Sequence, residues 1–347
     1  MLGVGLLQRV NSTHLKRTSA VAAVQYSRLF FRNYHPLVST SWLNERIDQA
    51  NEAHIPSLKI LEASWDNCQS HRSGPRIPSA VCFDALRCRN HASLYPNMVP
   101  SEEQFANYVG GELGISNNTH VVVYDRSGQP APGIQASLFT MQDANKLEAP
   151  RIWFLFRLFG HDNVSVLDGG LHHWIAQNRP VTGIRDQTPN GEGPAPAVEF
   201  KTEFRSNLLV DFETINKLIS VGELSRNCRL IDARGRKSYT GEKQSYDYSG
   251  CIPGSINIPL TELIETESGL FKQPDALRQL FGSNMIDLGI EGSAGSQMIS
   301  SCGTGVFACA VILAAHIAGR ENVPLYDGSW YEYARRGGKI EVKTTQE

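Results

Sequence analysis

The sequence says the same thing twice, and that repetition constrains the fold more than any other feature. Leu61-Glu62-Ala63-Ser64 is answered by Ile231-Asp232-Ala233-Arg234, 170 residues further on. Ile77-Pro78-Ser79-Ala80-Val81 is answered by Ile252-Pro253-Gly254-Ser255-Ile256 at an offset of 175. The run ending at Tyr124-Asp125 is answered by the run ending at Ser301-Cys302, at 177. Leu167-Asp168-Gly169-Gly170 is answered by Tyr326-Asp327-Gly328-Ser329, at 159. Landmarks repeating in one order mark a tandem duplication. The fall from 177 to 159 puts 18 extra residues in the first half, after Asp125. Two cores also suit 347 residues, too many for one ordinary core.

Strands and helices alternate within each half. Leu58–Ser64, Arg76–Asp84, Thr119–Asp125 and the run from Val164 read as strands, rich in β-branched or apolar residues and ending at turns. Ser41 caps a helix reaching about Ala53, Ser101 caps a second, and Pro150–Gly160 is a third with proline at its start and glycine at its end. The expected fold is therefore α/β, each half a mostly parallel sheet flanked by helices. The Gly-, Pro-, Thr- and Asn-rich text from Pro180 to about Pro196 reads as a linker.

Composition excludes some partners. A net charge of −2 gives no electrostatic footprint for nucleic acid or a membrane surface. The uncharged run Met298–Gly319 is broken by Ser300, Ser301, Gly303, Gly305 and His316, and fits a strand plus a buried helix better than a membrane span. Seven cysteines with no CxxC pair argue against a zinc site or a disulfide framework and suit a reducing compartment. The first 38 residues differ: they carry Arg9, Lys16, Arg17, Arg28 and Arg32, and no acid precedes Glu45. That is the composition of a mitochondrial presequence, with a cytoplasmic chain carrying a basic tail as the alternative.

The chemistry concentrates at Cys302. It ends an apolar strand and enters Gly303-Thr304-Gly305-Val306-Phe307, which turns into the apolar helix that follows. A cysteine there faces the free N–H groups of a helix start, which favours the thiolate. Glycines let several N–H groups curl towards one sulfur. Its counterpart in the first half is Asp125, so the second half reads as the working one. A Cys-x5-Arg phosphatase loop is excluded because the sixth residue after Cys302 is Ala308.

Assembled, these landmarks resemble the tandem rhodanese-like sulfurtransferases, which include mercaptopyruvate and thiosulfate sulfurtransferases, over about residues 40 to 338. The resemblance rests on Leu167-Asp168-Gly169-Gly170-Leu171-x-His173-Trp174, on Ile252-Pro253-Gly254-Ser255-Ile256-Asn257-Ile258-Pro259, on Cys302-Gly303-Thr304-Gly305-Val306 and on Tyr326-Asp327-Gly328-Ser329-Trp330. After the presequence read from composition at 1–38, it implies a non-catalytic rhodanese-like domain at 39–180, a linker at 181–207 and a catalytic domain at 208–347. It implies a Cys302 persulfide cradled by Gly303, Thr304, Gly305, Val306 and Phe307, with no cofactor and no metal. The sulfur would come from 3-mercaptopyruvate or thiosulfate and pass to cyanide or to a thiol such as thioredoxin or glutathione. The alternatives are a thiosulfate-preferring rhodanese and a catalytically weakened binding or persulfide-carrier module.

The loop Cys-Gly-Thr-Gly resembles the Cys-Gly-Ser-Gly of mercaptopyruvate enzymes more than the Cys-Arg-Lys-Gly of thiosulfate enzymes. Other positions depart from that pattern. Ser238 stands where the first carboxylate-binding arginine belongs, leaving Arg236 and Lys237 as candidate substrate-binding residues. A second arginine expected near Ser245 to Asp247 is absent, and Cys251 replaces the histidine before Ile-Pro-Gly. Leu86 and Asn97 fall where the family places an aspartate and a histidine behind the loop hydroxyl, with Asp84 and His91 displaced. Arg234 reads as a structural ion pair, Asp168 and Asp327 as holding their own turns, His172 and His173 as part of a turn, and Cys309 as core.

Overall fold

The computed structural model describes residues 35–50, 58–127, 147–183, 196–224, 226–289 and 295–343. Ten short strands form two parallel sheets. The first contains β1 (Leu37–Val38), β2 (Leu58–Ser64), β3 (Val81–Asp84), β4 (His120–Tyr124) and β5 (Val164–Leu167), in the order β1-β5-β4-β2-β3. The second contains β6 (Leu209–Val210), β7 (Cys228–Asp232), β8 (Ile256–Asn257), β9 (Gln297–Ser301) and β10 (Leu325–Tyr326), in the matching order β6-β10-β9-β7-β8. This is the α/β architecture expected from the alternating elements.

Strand register reproduces the repeat residue by residue. Leu61 pairs with Val81 and Val123, and Ile231 pairs with Ile256 and Ser300. Val123 in turn pairs with Val166, and Ser300 with Leu325. All four offsets read from the sequence are thus offsets between equivalent strand positions. The residues inferred to be extra fall mainly in 128–146, outside the described residues, as does most of the linker.

Equivalent helices meet at the seam between the halves. Ala149–Leu158 (α4) and Ala308–Ile317 (α9) each follow the strand that ends at Asp125 or Cys302, and they pack on each other. α4 is buried all round and α9 nearly so, as suits helices that carry apolar residues on every face. One core cluster runs through both halves and joins Trp153 and Phe154 to Ala310, Leu313 and Cys302. Both sheets belong to one compact unit, Pro36–Glu347. The helix opening the first half is Thr40–Ala50, and the expected extension to Ala53 lies outside the described residues. Among the described residues no helix is long and apolar enough to cross a membrane.

Two of the cysteines depart from expectation: Cys68 and Cys82 form a disulfide. Cys68 lies just beyond β2, and β3, which carries Cys82, is the neighbouring strand. Their Cα atoms are 6.0 Å apart, within bridging range. Pairing across parallel strands leaves no mark in cysteine spacing.

Candidate active site

Cys302 lies just past the C-terminal end of β9, where ligands of open α/β sheets bind. Its backbone N–H donates to the Ser329 hydroxyl at 3.1 Å, which fixes the residue at the mouth of the turn. The backbone N–H groups of Thr304, Ala308 and Gly305 favour the ionised form of the sulfur.

The thiol does not behave as a helix-start cysteine alone would suggest. Cys302 is 1% exposed, and burial raises its pKa above the ordinary thiol value. The N–H groups of Thr304, Ala308 and Gly305 oppose that rise, while the nearby Asp232 adds to it. Desolvation outweighs the N–H groups, so burial pushes the Cys302 thiol up where a helix start alone would lower it.

Asp125 occupies the equivalent place in the first half and shows what the cradle is for. One carboxylate oxygen accepts N–H bonds from Glu148 at 2.8 Å and Ala149 at 2.7 Å, the start of α4. The other accepts from the Ser127 N–H at 3.1 Å and from the Ser127 hydroxyl. A carboxyl fills one cradle and a sulfur the other; burial pushes both pKa values up, and the surrounding N–H groups oppose the rise in each.

Glycine is required inside the loop. Gly305 has φ +79°, and a Cβ there would lie 2.5 Å from the Asp327 carbonyl oxygen. Behind it, Arg151 of α4 crosses the seam. Its Nη1 donates to Asp327 Oδ1 at 2.8 Å and to the Gly305 carbonyl at 3.3 Å, and its Nη2 donates to the Asn97 carbonyl at 2.5 Å. Asp327 Oδ2 accepts from the Val99 N–H at 2.7 Å, and Asp168 accepts from the Phe271 N–H at 2.9 Å. Each turn aspartate thus bonds a backbone N–H of the opposite half, where a bond confined to its own turn was expected. Cys309 is core, with its Sγ donating to the Gly305 carbonyl at 3.4 Å.

A polar chain enters the site from the first half. The Trp65 indole N–H donates to Asn97 Oδ1 at 3.2 Å, and Asn97 Nδ2 donates to Thr304 Oγ1 at 3.0 Å. Burial and the nearby Cys302 push the Tyr246 phenol pKa up, while the Thr304 hydroxyl lowers it. Asn97 therefore touches the loop hydroxyl from the place where the family has a histidine. Asp84 instead accepts from the Leu86 and Arg87 N–H groups, and His91 Nε2 lies 3.0 Å from the Arg87 carbonyl.

Tyr246 was invisible to sequence reasoning. It sits at the tip of a two-residue hairpin in which Ser245 and Tyr248 exchange backbone bonds of 2.9 and 3.3 Å. Tyr246 and Asp247 have φ of +53° and +70°. Two central residues with positive φ make a primed turn, usually built from Asn-Gly. Holding a tyrosine there costs on the order of 1–2 kcal/mol, and such strain clusters at functional sites. The turn is pinned by Trp330 Nε1, which donates to the Ser245 carbonyl at 3.1 Å, and by an Arg335–Asp247 ion pair of 3.2 Å.

The remaining candidates lie as follows. Arg234 forks onto Asp232, with Nη2 to Oδ2 at 2.7 Å, stacks 4.5 Å from the Trp330 ring centroid, and leaves Nη1 buried without a partner. Arg236 forms an exposed ion pair with Glu262 at 2.9 Å, and Lys237 is exposed beside it. Val306 is buried, and Phe307 packs against the core cluster below the loop. Among the described residues no three His, Cys, Asp or Glu side chains are grouped to hold a metal.

The rhodanese-like domain profile matches residues 39–177 and 216–336. The chain belongs to the rhodanese-like family. It is 37% identical over 312 residues to a thiosulfate sulfurtransferase of Rattus norvegicus, with 87% of this chain and 93% of the relative covered. It is 37% identical over 315 residues to a 3-mercaptopyruvate sulfurtransferase of Homo sapiens, with 88% and 94% covered. The crystal structure of SseA from Escherichia coli, described as having the rhodanese fold and catalytic mechanism of 3-mercaptopyruvate sulfotransferases, superposes with a TM-score of 0.65 at 29% identity, over 86% of this chain and 99% of that one. This rhodanese-like protein is a sulfurtransferase. Relatives of both donor types stand at the same identity, so donor choice has to be read from the site.

Proposed function

We propose that this sulfurtransferase takes a sulfane sulfur from 3-mercaptopyruvate, holds it on Cys302 as a persulfide, and passes it to a thiol such as thioredoxin or glutathione, or to cyanide. The observation that carries this is the matching cradle of the first half, where the Glu148, Ala149 and Ser127 N–H groups converge on the Asp125 carboxyl. A persulfide ends in an anion, and at Cys302 the Thr304, Ala308 and Gly305 N–H groups favour the charged sulfur. Mercaptopyruvate is favoured over thiosulfate because Cys302–Phe307 contains hydroxyl and backbone donors but no Lys or Arg for a sulfonate-like dianion. Arg236 and Lys237 are the proposed holders of the donor carboxylate, Arg236 by exchanging Glu262 for it.

In the transfer, the Cys302 thiolate attacks the donor sulfur. The carbon–sulfur electron pair stays on carbon, and the enolate so formed takes a proton to become pyruvate. Cys302 keeps the sulfur, and an acceptor thiolate then removes it. We propose further that residues 1–38 carry the chain to mitochondria, as their basic, acid-free composition suggests. Mass spectrometry of the protein after exposure to mercaptopyruvate or thiosulfate tests the chemistry. A gain of one sulfur on Cys302 with mercaptopyruvate, absent in Cys302→Ser, is expected. No gain with either donor would overturn the persulfide reading, and a gain with thiosulfate alone would overturn the donor.

A further inference from the structure

Tyr246 stands directly over the loop that holds the sulfur. A Cβ added at Gly303 would meet the Tyr246 ring at 2.9 Å and its hydroxyl at 3.2 Å, so glycine next to Cys302 makes room for this ring. Tyr246 itself is 45% exposed, with one face on the loop and the other towards solvent. Its ring meets Tyr331 edge-on at 5.2 Å, and Arg335 lies 4.6 Å over that Tyr331 ring while pairing with Asp247. The hairpin base is thus fixed, and the side chain at its tip covers a cysteine that is nearly sealed.

The polar chain behind the ring fixes where protons point. An indole N–H only donates, so Asn97 must present its oxygen to Trp65 and its NH2 to Thr304. Thr304 accepts there, so its own proton points away from Asn97. The Tyr246 hydroxyl lies 3.2 Å from where a Gly303 Cβ would stand, so the phenol O–H borders the sulfur loop and is placed to donate to a ligand there. Resting on the donor reading above, we propose that Tyr246 is both the gate over Cys302 and the phenol that donates to the oxygen of a 2-oxo acid donor. As the carbon–sulfur bond breaks and its electron pair moves into the donor, negative charge gathers on that oxygen, and the phenol O–H stabilises it until the carbon is protonated. No oxidant is needed: the sulfur gained by Cys302 and the pair gained by the donor carbon balance. This neutral donor stands near where the family's second arginine is missing.

Two variants separate the two roles. Tyr246→Gly removes the ring and suits the positive φ, so it leaves folding intact, which a thermal melt verifies. Alkylation by iodoacetamide, read at Cys302 by peptide mass spectrometry, is expected to speed up by about tenfold or more in Tyr246→Gly and to stay at the wild-type rate in Tyr246→Phe. Turnover of mercaptopyruvate by Tyr246→Phe is expected to fall by roughly ten- to a hundredfold, in kcat more than in KM. Equal alkylation of wild type and Tyr246→Gly would overturn the gate, and full kcat in Tyr246→Phe would overturn the phenol's role. If mercaptopyruvate never loads the wild-type protein, the donor reading fails, while alkylation still decides the gate.

Discussion

Arg151 of the first half and Asp327 of the second form an ion pair of 2.8 Å across the seam, with both side chains buried. Arg151 also carries the Gly305 and Asn97 carbonyls, so one guanidinium ties the sulfur loop to the first half. Removing one partner of a buried pair leaves the other charge uncompensated. Arg151→Met is expected to lower stability by about 3–5 kcal/mol. Chemical denaturation should show part of the loss recovered in the double variant with Asp327→Asn.

Asn97 links Trp65 to Thr304 in a fixed donor direction. A carboxylate at this position accepts from both neighbours, so the bond to Thr304 reverses and the loop hydroxyl turns its proton towards residue 97. Asn97→Asp is therefore expected to cut kcat by about tenfold with little change in melting temperature. Aspartate tolerates the φ of +60° held by Asn97, so the backbone need not move. Steady-state kinetics beside a thermal melt checks both halves of the expectation.

Gly305 combines a positive φ with a backbone oxygen at 2.5 Å from any added Cβ, and the contact is not the tip of a flexible side chain. Gly305→Ala should cost at least about 2 kcal/mol and displace the N–H groups from the sulfur. The expected readouts are a lower denaturation midpoint and loss of sulfur loading on Cys302.

Asp168 titrates unusually: burial pushes its pKa up to about 6 against the lowering bonds from the Phe271 and Gly169 N–H groups. The folded chain then binds more protons than the unfolded one between pH about 4 and 6. The stability this carboxyl contributes is fully present below that window and lost as pH rises through it. Asp168→Asn keeps an acceptor for Phe271 without the charge. Its stability relative to wild type should therefore be higher at pH 7.5 than at pH 4, by on the order of 2 kcal/mol. Denaturation midpoints at the two pH values measure this difference.

The buried histidine at the same seam acts in the opposite sense. Burial and the Arg157 guanidinium hold His316 down to about 4, so acidification below its ordinary range weakens the folded state. Any pH profile of wild-type stability is the sum of such opposing groups, which is why the variant difference is the useful measurement.

Much of this protein was set by its sequence. The offsets 170, 175, 177 and 159 fixed strand equivalence before any coordinate, because a duplicated chain repeats its period-2 strands and its turns. The pairing of Asp125 with Cys302 followed from the same alignment, and the place of Asn97 behind the loop hydroxyl from the family resemblance. Local chemistry was enough for these, since loops at strand ends carry their own glycines and caps. The tertiary structure alone decided what meets across the seam and across strands. Arg151, lying in an apolar helix, gives no sign of reaching Asp327; Cys68 gives none of pairing with Cys82; Tyr246 gives none of lying over Gly303. Nor can spacing weigh burial against N–H groups, and at Cys302 that balance pushes the thiol pKa up. Such facts depend on distance and desolvation in three dimensions, to which a one-dimensional pattern is blind.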